Sequence, residues 1–261
     1  MNAMLHGKTA VITGAASGIG AADARVFSAH GANVVLADIN DDAGQRVAEL
    51  VNNDESVHKG DGRAVFVHTD VSSAADVAAM VRTSVDTFGR LDCAFNNAGI
   101  DGQPARLHES SQENWDQVLA VNLTGVWLCL KYEIEQMLQQ GGGAIVNTAS
   151  VAGVVGTASI PMSAYVAAKH GTVELTKAAA LEYANEQIRI NAICPGPVRT
   201  EMLDAILRQG LMAEDDILAA QPVRRLAAPE EVAEAAAWLC SDAASFTIGH
   251  ALAVDGGWTT Q

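Results

Sequence analysis

The chain has 261 residues, of which 49% are hydrophobic and 18% are charged, a composition typical of a globular protein with a sizeable core and not of a disordered one. Asp and Glu (31) outnumber Lys and Arg (16), so the formal net charge is −15. Such an acidic surface repels nucleic-acid phosphates and anionic lipid headgroups, so we expect neither nucleic acid nor a membrane as a partner.

Short apolar runs alternate with longer amphipathic segments along the whole chain. The runs predict strands at residues 9–13, 33–38, 64–69, 91–96, 143–149, 188–194 and 251–254. The segments between them predict helices at residues 19–30, 41–51, 74–88, 112–138, 163–184 and 230–240, and the polar residues 52–62 predict a surface loop. Most of these strands are apolar throughout, as in parallel sheets that helices cover on both faces. The alternation predicts an α/β protein: a single Rossmann-fold domain over residues 1–261, with a doubly wound, parallel, seven-stranded sheet and helices on both faces.

Three glycines follow the first predicted strand, at the turn into the first helix: Gly14, Gly18 and Gly20. Without side chains the turn can bend sharply and approach a pyrophosphate closely, while the first N–H groups of the helix favour an anion. The spacing is G-x-x-x-G-x-G and not the common G-x-G-x-x-G, so it matches the dinucleotide-binding rule in mechanism but not in pattern. A tight turn without a ligand is the alternative.

A carboxylate, Asp38, ends the second predicted strand. At that place it can accept hydrogen bonds from both hydroxyls of an adenosine ribose. A 2′-phosphate would meet a like charge there, and no Lys or Arg follows until Arg46, so the sequence favours NAD over NADP. The alternative role, capping the next helix, is better filled by Asp41 and Asp42.

Tyr165 and Lys169 are spaced i, i+4 with no helix breaker between them, which places both side chains on one helical face. A tyrosine pKa of about 10 is too high for a base at neutral pH. A neighbouring ammonium is expected to lower it by stabilising the phenolate. The alternative is an ordinary Tyr on a half-buried helix beside a Lys that extends to solvent.

Ser150 follows the fifth predicted strand, at the carboxyl edge where catalytic groups of open α/β sheets gather. Thr148 is the nearby hydroxyl that competes with it.

These features, in this order, resemble the short-chain dehydrogenase/reductase family in its short single-domain branch. Further motifs extend the resemblance from Lys8 to about Trp258: Asp70-Val71, Asn96-Asn97-Ala98-Gly99, Pro195-Gly196-Pro197-Val198-Arg199-Thr200 and Asp255-Gly256-Gly257. The resemblance implies NAD as the cofactor, held by Gly14, Ser17, Gly18, Ile19, Gly20, Asp38, Asp70, Val71, Asn97, Ala98, Gly99, Tyr165, Lys169, Pro195, Gly196, Val198 and Thr200.

The resemblance also implies four catalytic residues: Asn122, Ser150, Tyr165 and Lys169. Tyr165 removes the proton of the substrate hydroxyl, and Ser150 orients the substrate oxygen. Lys169 binds the nicotinamide ribose and lowers the pKa of Tyr165. Asn122 holds a water that links Lys169 to solvent, unless it is simply a buried amide with its hydrogen bonds satisfied. The interval from Ser150 to Tyr165 is two residues longer than in the family, and residues 156–161 can absorb the difference.

The predicted substrate pocket contains Ser150, Ala152, Met162, Tyr165 and Met202, and residues 197–225 resemble the family's lid. An amphipathic helix packed on the core is the alternative for this segment. An apolar lid with few basic groups suggests a small, largely hydrophobic secondary alcohol or ketone, with cyclic compounds included.

Two other enzyme activities of the family compete with this interpretation. A 3-oxoacyl-carrier-protein reductase docks an acidic carrier and prefers NADPH, whereas the corresponding helices here carry Glu133, Glu135, Glu182 and Glu186. A sugar dehydrogenase needs more polar pocket groups than the sequence offers. A non-catalytic NAD-binding sensor or scaffold has no need of Ser150, Tyr165 and Lys169.

The remaining expectations concern cysteines, location and assembly. The cysteines have no C-x-x-C pair and no His at ligand spacing, which predicts free buried thiols and no metal: Cys93, Cys129, Cys194 and Cys240. The N-terminus lacks the apolar core of a signal peptide, and no apolar run reaches the roughly 20 residues of a membrane span. We therefore expect a cytoplasmic protein, and the resemblance implies a homotetramer.

Overall fold

The structure, a computed structural model, describes residues 3–54, 62–156 and 160–260. Most of the loop predicted at residues 52–62, and residues 157–159 of the segment expected to absorb the extra length, lie outside the described residues. The described residues form one parallel sheet of seven strands in the order β3-β2-β1-β4-β5-β6-β7. These strands are β1 (Thr9–Thr13), β2 (Asn33–Asp38), β3 (Ala64–His68), β4 (Cys93–Asn96), β5 (Gly143–Thr148), β6 (Ile188–Pro195) and β7 (Ala251–Val254).

Helices follow the strands in alternation and cover both faces of the sheet. They are α1 (Gly18–Ala29), α2 (Asp41–Asn53), α3 (Ala74–Phe88), α4 (Gln112–Leu119), α5 (Gly125–Gln140), α6 (Ser163–Tyr183), α7 (Glu201–Arg208), α8 (Glu214–Ala220) and α9 (Pro229–Cys240). The predicted elements are therefore present, and their ends move by at most two residues except where the long fourth helix is divided.

The core is split by the sheet into two layers, because successive residues of a strand point to opposite faces. In β1, Ile12 packs in the cluster that contains Phe27 of α1 and the buried side of α9. Its neighbour Val11 packs in the other cluster, with Met80 of α3 and Leu130 of α5. All of β1 is buried. The predicted Rossmann fold with helices on both faces is confirmed.

The strand order reverses between β1 and β4, the two strands at the centre of the sheet. The connections that leave β1 and β4 diverge at this point, so a crevice opens beyond the carboxyl ends of both strands. Ligands of open α/β sheets bind in such crevices. The topology alone therefore places the candidate site above β1 and β4.

The segment predicted as one helix at residues 112–138 is divided by a π-helical turn. This turn, Ala120–Thr124, joins α4 to α5. It contains Asn122, whose side chain is fully buried. Both its amide oxygen and its amide nitrogen make hydrogen bonds to the backbone of Ile100. Such turns are common at functional sites because they re-aim one residue without ending the helix.

A buried polar network joins the central strands to the helices behind them. Asn96 Nδ2 donates to Asn147 Oδ1 (3.0 Å) and to Glu133 Oε2 (2.9 Å), and Asn147 Nδ2 donates to Thr176 Oγ1 (2.9 Å). Burial raises the pKa of Glu133 to about 8. Glu133 is thus neutral in the folded chain at neutral pH, and its contribution to stability is lost as the pH rises from about 4.5 through 8. The network fixes the end of β4 and the turn that follows it.

Candidate active site

One cavity of about 520 Å³ occupies the crevice above the sheet. The structure brings nearly all the predicted site residues to its wall: Gly14, Ser17, Gly18, Ile19, Asp38, Asp70, Val71, Asn97, Ala98, Gly99, Ser150, Ala152, Met162, Tyr165, Lys169, Pro195, Gly196, Val198, Thr200 and Met202. Two of the predicted residues, Gly20 and Asn122, lie behind the wall and do not line the cavity.

The turn from β1 into α1 needs its glycines for close packing. Gly14 has φ +65°, and a Cβ atom there would lie 2.9 Å from the Cα of Ala98. A Cβ atom on Gly20 would lie 2.2 Å from the carbonyl oxygen of Gly14, so Gly20 lets α1 pack against the turn. The turn and the residues after β4 can therefore approach each other only without side chains at these positions.

The start of α1 leaves its first N–H groups open towards the cavity. The capping residue Ser17 makes no side-chain hydrogen bond to them, and the first turn carries no acidic residue. Ser17, Gly18 and Ile19 line the cavity. Uncapped N–H groups at a helix start, with the positive end of the helix dipole, suit a phosphate group. This end of the cavity fits the pyrophosphate of a dinucleotide.

Asp38 lies beside this turn, at the carboxyl end of β2. Its Oδ2 accepts a hydrogen bond from the N–H of Ala16 (3.0 Å), and its Oδ1 accepts one from the N–H of Asn40 (2.9 Å). Both bonds fix the carboxylate at the cavity wall. Among the described residues that line the cavity, Lys169 is the only Lys or Arg, and it lies three strands away, next to β5. A negatively charged group beside Asp38 would therefore have no Lys or Arg near it among the described residues of the cavity wall.

Three polar side chains meet at the other end of the cavity, beyond β5 and on α6. The Ser150 hydroxyl accepts a hydrogen bond from the N–H of Ala152 (3.1 Å) and is hydrogen-bonded to Tyr165. Lys169 Nζ donates to the carbonyl of Thr148 (2.7 Å) and lies 5.6 Å from the centre of the Tyr165 ring. The Thr148 hydroxyl donates to Asn97 Oδ1 instead (3.4 Å). Ser150 is therefore the hydroxyl that meets Tyr165.

The pKa values of this group differ from the expectation. Burial raises the pKa of Tyr165 to about 12, the charge of Asp101 acts in the same direction, and the hydrogen bond with Ser150 opposes them. Burial also lowers the pKa of Lys169 to about 8, with Asp101 opposing. The prediction that the pKa of Tyr165 is lowered is wrong for the chain by itself, because desolvation of the phenolate and the negative Asp101 raise this pKa by more than the hydrogen bond with Ser150 lowers it.

Asn122 takes part in the site through the backbone of Ile100. Its Oδ1 accepts a hydrogen bond from the Ile100 N–H (2.8 Å), and its Nδ2 donates to the Ile100 carbonyl (2.7 Å). Its own carbonyl accepts a hydrogen bond from Thr172 Oγ1 (3.0 Å). The side chain is thus a buried amide with its hydrogen bonds satisfied, and its role in holding a water near Lys169 stays a prediction. A Cβ atom on Gly99 would lie 3.2 Å from Asn122 Oδ1 and 3.6 Å from Lys169 Nζ, so the amide still lies near the lysine.

The sequence did not predict several residues that the cavity wall includes. Trp258 reaches it from near the C-terminus, and no local pattern marks it. Met212 and Ile217 of α8 also line it, and the sequence covers them only as part of the predicted lid at residues 197–225. Asp101 also lines it, and its position two residues after the Asn96–Gly99 motif is the signal that could have identified it. Glu133 is one of the four glutamates expected to repel an acidic carrier protein, but it is buried. Only Glu135, Glu182 and Glu186 therefore support the argument against carrier docking.

Other sequence expectations concern metals, thiols and membranes. The four cysteines are free and buried, as predicted. Within residues 3–54, 62–156 and 160–260, no cluster of three or more His, Cys, Asp or Glu side chains has the geometry of a metal site. None of the helices in these ranges combines the length and the hydropathy that a membrane span requires.

Comparison with known proteins assigns the family. A family model described as "Enoyl-(Acyl carrier protein) reductase" matches residues 14–259. A 2,5-dichloro-2,5-cyclohexadiene-1,4-diol dehydrogenase of Sphingobium indicum is 46% identical, over 98% of both chains. A cis-4-hydroxycyclohexanecarboxylate dehydrogenase of Sinomonas cyclohexanicum is 46% identical, over 97% of this chain and 96% of the relative. The crystal structure of levodione reductase superimposes with a TM-score of 0.92 at 34% identity, covering 98% of this chain and 99% of that one. The chain belongs to the short-chain dehydrogenase/reductase family and is an oxidoreductase of the alcohol dehydrogenase/ketoreductase type.

Proposed function

We propose that the chain oxidises secondary alcohols on small, largely apolar rings with NAD, and reduces the corresponding ketones in the reverse direction. One observation carries the proposal. The cavity joins an uncapped helix start and the fixed carboxylate of Asp38 at one end to Ser150, Tyr165 and Lys169 at the other. Two relatives matched over nearly their whole length carry the names of dehydrogenases for ring alcohols, which supports the same conclusion.

The cofactor is proposed to lie along the wall from α1 to β6. The start of α1 would hold the pyrophosphate, and the Asp38 carboxylate would accept hydrogen bonds from the adenosine ribose hydroxyls. NAD is favoured over NADP because a 2′-phosphate would meet this carboxylate with no Lys or Arg on the wall nearby. The remaining contacts are assigned to Asp70 and Val71 near the adenine, and to Asn97, Ala98, Gly99, Pro195, Gly196, Val198 and Thr200 along the nicotinamide half.

When bound, the oxidised nicotinamide supplies the hydride acceptor and a positive charge. The phenolate of Tyr165 would take the proton from the substrate hydroxyl, and Ser150, to which Tyr165 is hydrogen-bonded, would orient the substrate oxygen. The pKa of about 12 means that the chain alone does not ionise Tyr165 at neutral pH. A further positive charge beside the ring would lower this pKa, so Tyr165 would be a more effective base in the loaded site than in the chain alone. Lys169, held by the Thr148 carbonyl, is the resident cation.

Apolar side chains form the substrate end of the cavity. They come from the loop after β4, the segment after β5 and the two helices that follow β6: Ile100, Val151, Ala152, Met162, Met202, Leu203, Ile206, Met212 and Ile217. We infer that residues 197–225, with α7 and α8, act as the lid over the substrate. Burying a hydrocarbon ring against these residues contributes about 25 cal/mol for each Å² removed from water.

Two other interpretations have specific observations for or against them. The family model's description names an acyl-carrier-protein substrate, but Glu135, Glu182 and Glu186 are exposed and would repel an acidic carrier. A sensor that only binds NAD would not need the Ser150–Tyr165 contact. The expected homotetramer is a separate proposal, which the molar mass from light scattering tests.

A turnover assay with two cofactors tests the proposed function. Purified protein with cyclohexanol and NAD should produce NADH, with kcat/KM about tenfold or more above the value with NADP. Asp38→Ser should reduce this preference by about tenfold to a hundredfold, because hydrogen bonds to a charged group contribute about 1.5–3 kcal/mol. Tight NADH binding without turnover of any ring alcohol would contradict the proposal and favour the sensor.

A further inference from the structure

A carboxylate stands in the substrate end of the cavity, near Tyr165 and Lys169 and among mostly apolar side chains. Asp101 lies two residues beyond Gly99, in the loop that follows β4, and lines the same cavity as Tyr165 and Met162. The other acidic side chains of the wall, Asp38, Asp70 and Glu201, are at the ends of β2 and β3 and at the start of α7. The proposed mechanism gives Asp101 no task, so its presence among apolar side chains calls for a ligand.

The backbone on both sides of Asp101 is held by two asparagines. On one side, Asn122 binds both the N–H and the carbonyl of Ile100 (2.8 and 2.7 Å). On the other side, Asn114 Oδ1 accepts a hydrogen bond from the Gln103 N–H (2.7 Å), and Asn114 Nδ2 donates to the Gln103 carbonyl (3.2 Å). The carboxylate is thus presented from a short, fixed segment, which is how a binding group is preorganised.

No described residue donates a hydrogen bond to the Asp101 carboxylate. Lys169 and Tyr165 are the titratable groups that interact with it electrostatically, and the hydrogen bonds of Lys169 go to Thr148. Burial raises the pKa of Asp101 to about 6, and the charge of Lys169 opposes the shift. The group therefore carries a negative charge at neutral pH in a partly desolvated place, where an acceptor without a donor is unfavourable until a ligand supplies one.

The names of two related dehydrogenases specify different groups across the ring from a hydroxyl. The cyclohexadiene-1,4-diol dehydrogenase acts on a compound with a second hydroxyl, and the cis-4-hydroxycyclohexanecarboxylate dehydrogenase acts on one with a carboxylate. A hydroxyl can donate to Asp101, whereas a carboxylate would be repelled and a plain hydrocarbon would leave Asp101 desolvated without a partner. We propose that Asp101 determines specificity by accepting a hydrogen bond from a second hydroxyl, so that the preferred substrates are cyclic diols. This inference rests on the proposed function, since it concerns the substrate of the same site.

Two substitutions separate the acceptor from the charge. Asp101→Leu removes both, and Asp101→Asn keeps an acceptor oxygen while removing the charge. Asp86→Asn, at an exposed carboxylate of α3 outside the cavity, is the matched control for net charge. The readout is the ratio of kcat/KM for the better of cyclohexane-1,2-diol and cyclohexane-1,4-diol to kcat/KM for cyclohexanol. Because both kcat/KM values are measured on the same variant, their ratio is unchanged by any effect of Asp101 on Tyr165 and Lys169 that is common to both substrates.

The wild type should prefer the diol, and Asp101→Leu should lower the ratio by about tenfold or more, as expected for a lost hydrogen bond to a charged group. Asp101→Asn should lower it less, and should raise kcat/KM for cis-4-hydroxycyclohexanecarboxylate by about tenfold as the repulsion is removed. Asp86→Asn should leave every ratio unchanged. An unchanged diol ratio in Asp101→Leu, with cyclohexanol still oxidised, overturns the inference and leaves the proposed function intact.

A binding measurement keeps the inference testable if no ring alcohol is turned over. Saturation-transfer NMR can compare cyclohexane-1,4-diol with cyclohexanol on the NADH-saturated protein and on NADH-saturated Asp101→Leu. A loss of diol binding by about tenfold relative to cyclohexanol supports the inference even though the proposed oxidation has failed. Equal losses for the two ligands, or no loss, overturn it.

Discussion

The two ends of the cavity are built from different parts of the polypeptide. The end proposed to hold the cofactor consists of backbone: the start of α1, the glycine turn before it and the ends of parallel strands. The end proposed to hold the substrate consists of side chains from the loop after β4, from α7 and α8, and from Trp258. A site made of backbone requires particular glycines at fixed spacing, whereas a pocket made of side chains requires only apolar residues of suitable size.

The backbone-built end should be the more sensitive to a single methyl group. In Gly14→Ala the new Cβ would lie 2.9 Å from the Cα of Ala98, at a φ of +65° that L residues rarely adopt. We expect NADH to bind about a hundredfold or more weakly, measured by fluorescence titration. Gly89→Ala is the matched control, because Gly89 has φ +84° and open space around its Cβ position. It should lose some thermal stability and keep its NADH affinity. Equal affinity in both variants would show that the turn is not a close-packed cradle.

Substitutions at the side-chain-built end should weaken substrate binding moderately and leave cofactor binding unchanged. Ile206→Ala removes apolar surface from the cavity wall and should raise KM for cyclohexanol by about fivefold to tenfold, the effect expected where one or two of the removed carbon groups contact the substrate at roughly 0.8 kcal/mol each. Leu207→Ala, next along α7 but outside the wall, should change KM by less than about twofold. A larger effect in Leu207→Ala than in Ile206→Ala would mean that α7 is a packed helix and not a lid.

The smallest expected effect lies where the two ends meet, at Asp101 and Tyr165. Alcohol oxidation needs the Tyr165 phenolate, so its rate rises with pH through the pKa of that group in the loaded site. The negative charge of Asp101 raises the pKa of Tyr165, so Asp101→Asn should shift the rise of kcat/KM for cyclohexanol to lower pH. The shift should be less than about one unit. Asp86→Asn should leave the profile in place, and a shift of the Asp101→Asn profile to higher pH would contradict the electrostatic account.

The same contrast explains what the sequence could predict. The strand β1 was predicted to the residue, since its continuous apolar run is enough to define a strand buried on both faces. Gly14, Gly18 and Asp38 were found because their spacing relative to the strands fixes where they lie. The π-helical turn at Asn122 was missed, because one extra residue in a helix hardly changes the hydrophobic pattern.

The direction of the Tyr165 pKa could not be predicted either. The i, i+4 spacing shows that Lys169 is near, but it contains no information on desolvation or on Asp101, which comes from another strand end. Trp258 was missed for the same reason, because it reaches the cavity through tertiary packing, whereas Met212 and Ile217 lie within the predicted lid. The sequence thus describes the residues of the backbone-built end and only part of the substrate end.

The most direct test of the central claim is a comparison of the wild type with Tyr165→Phe, which removes one hydroxyl and keeps the half-buried ring. With cyclohexanol and NAD, kcat should fall by about a thousandfold, the magnitude typical of a lost general acid–base group. NADH affinity should stay within about twofold, because the phenylalanine keeps the ring in place and most of the proposed cofactor contacts are made by other residues of the wall. A Tyr165→Phe variant that oxidises cyclohexanol at a rate near that of the wild type would contradict the account.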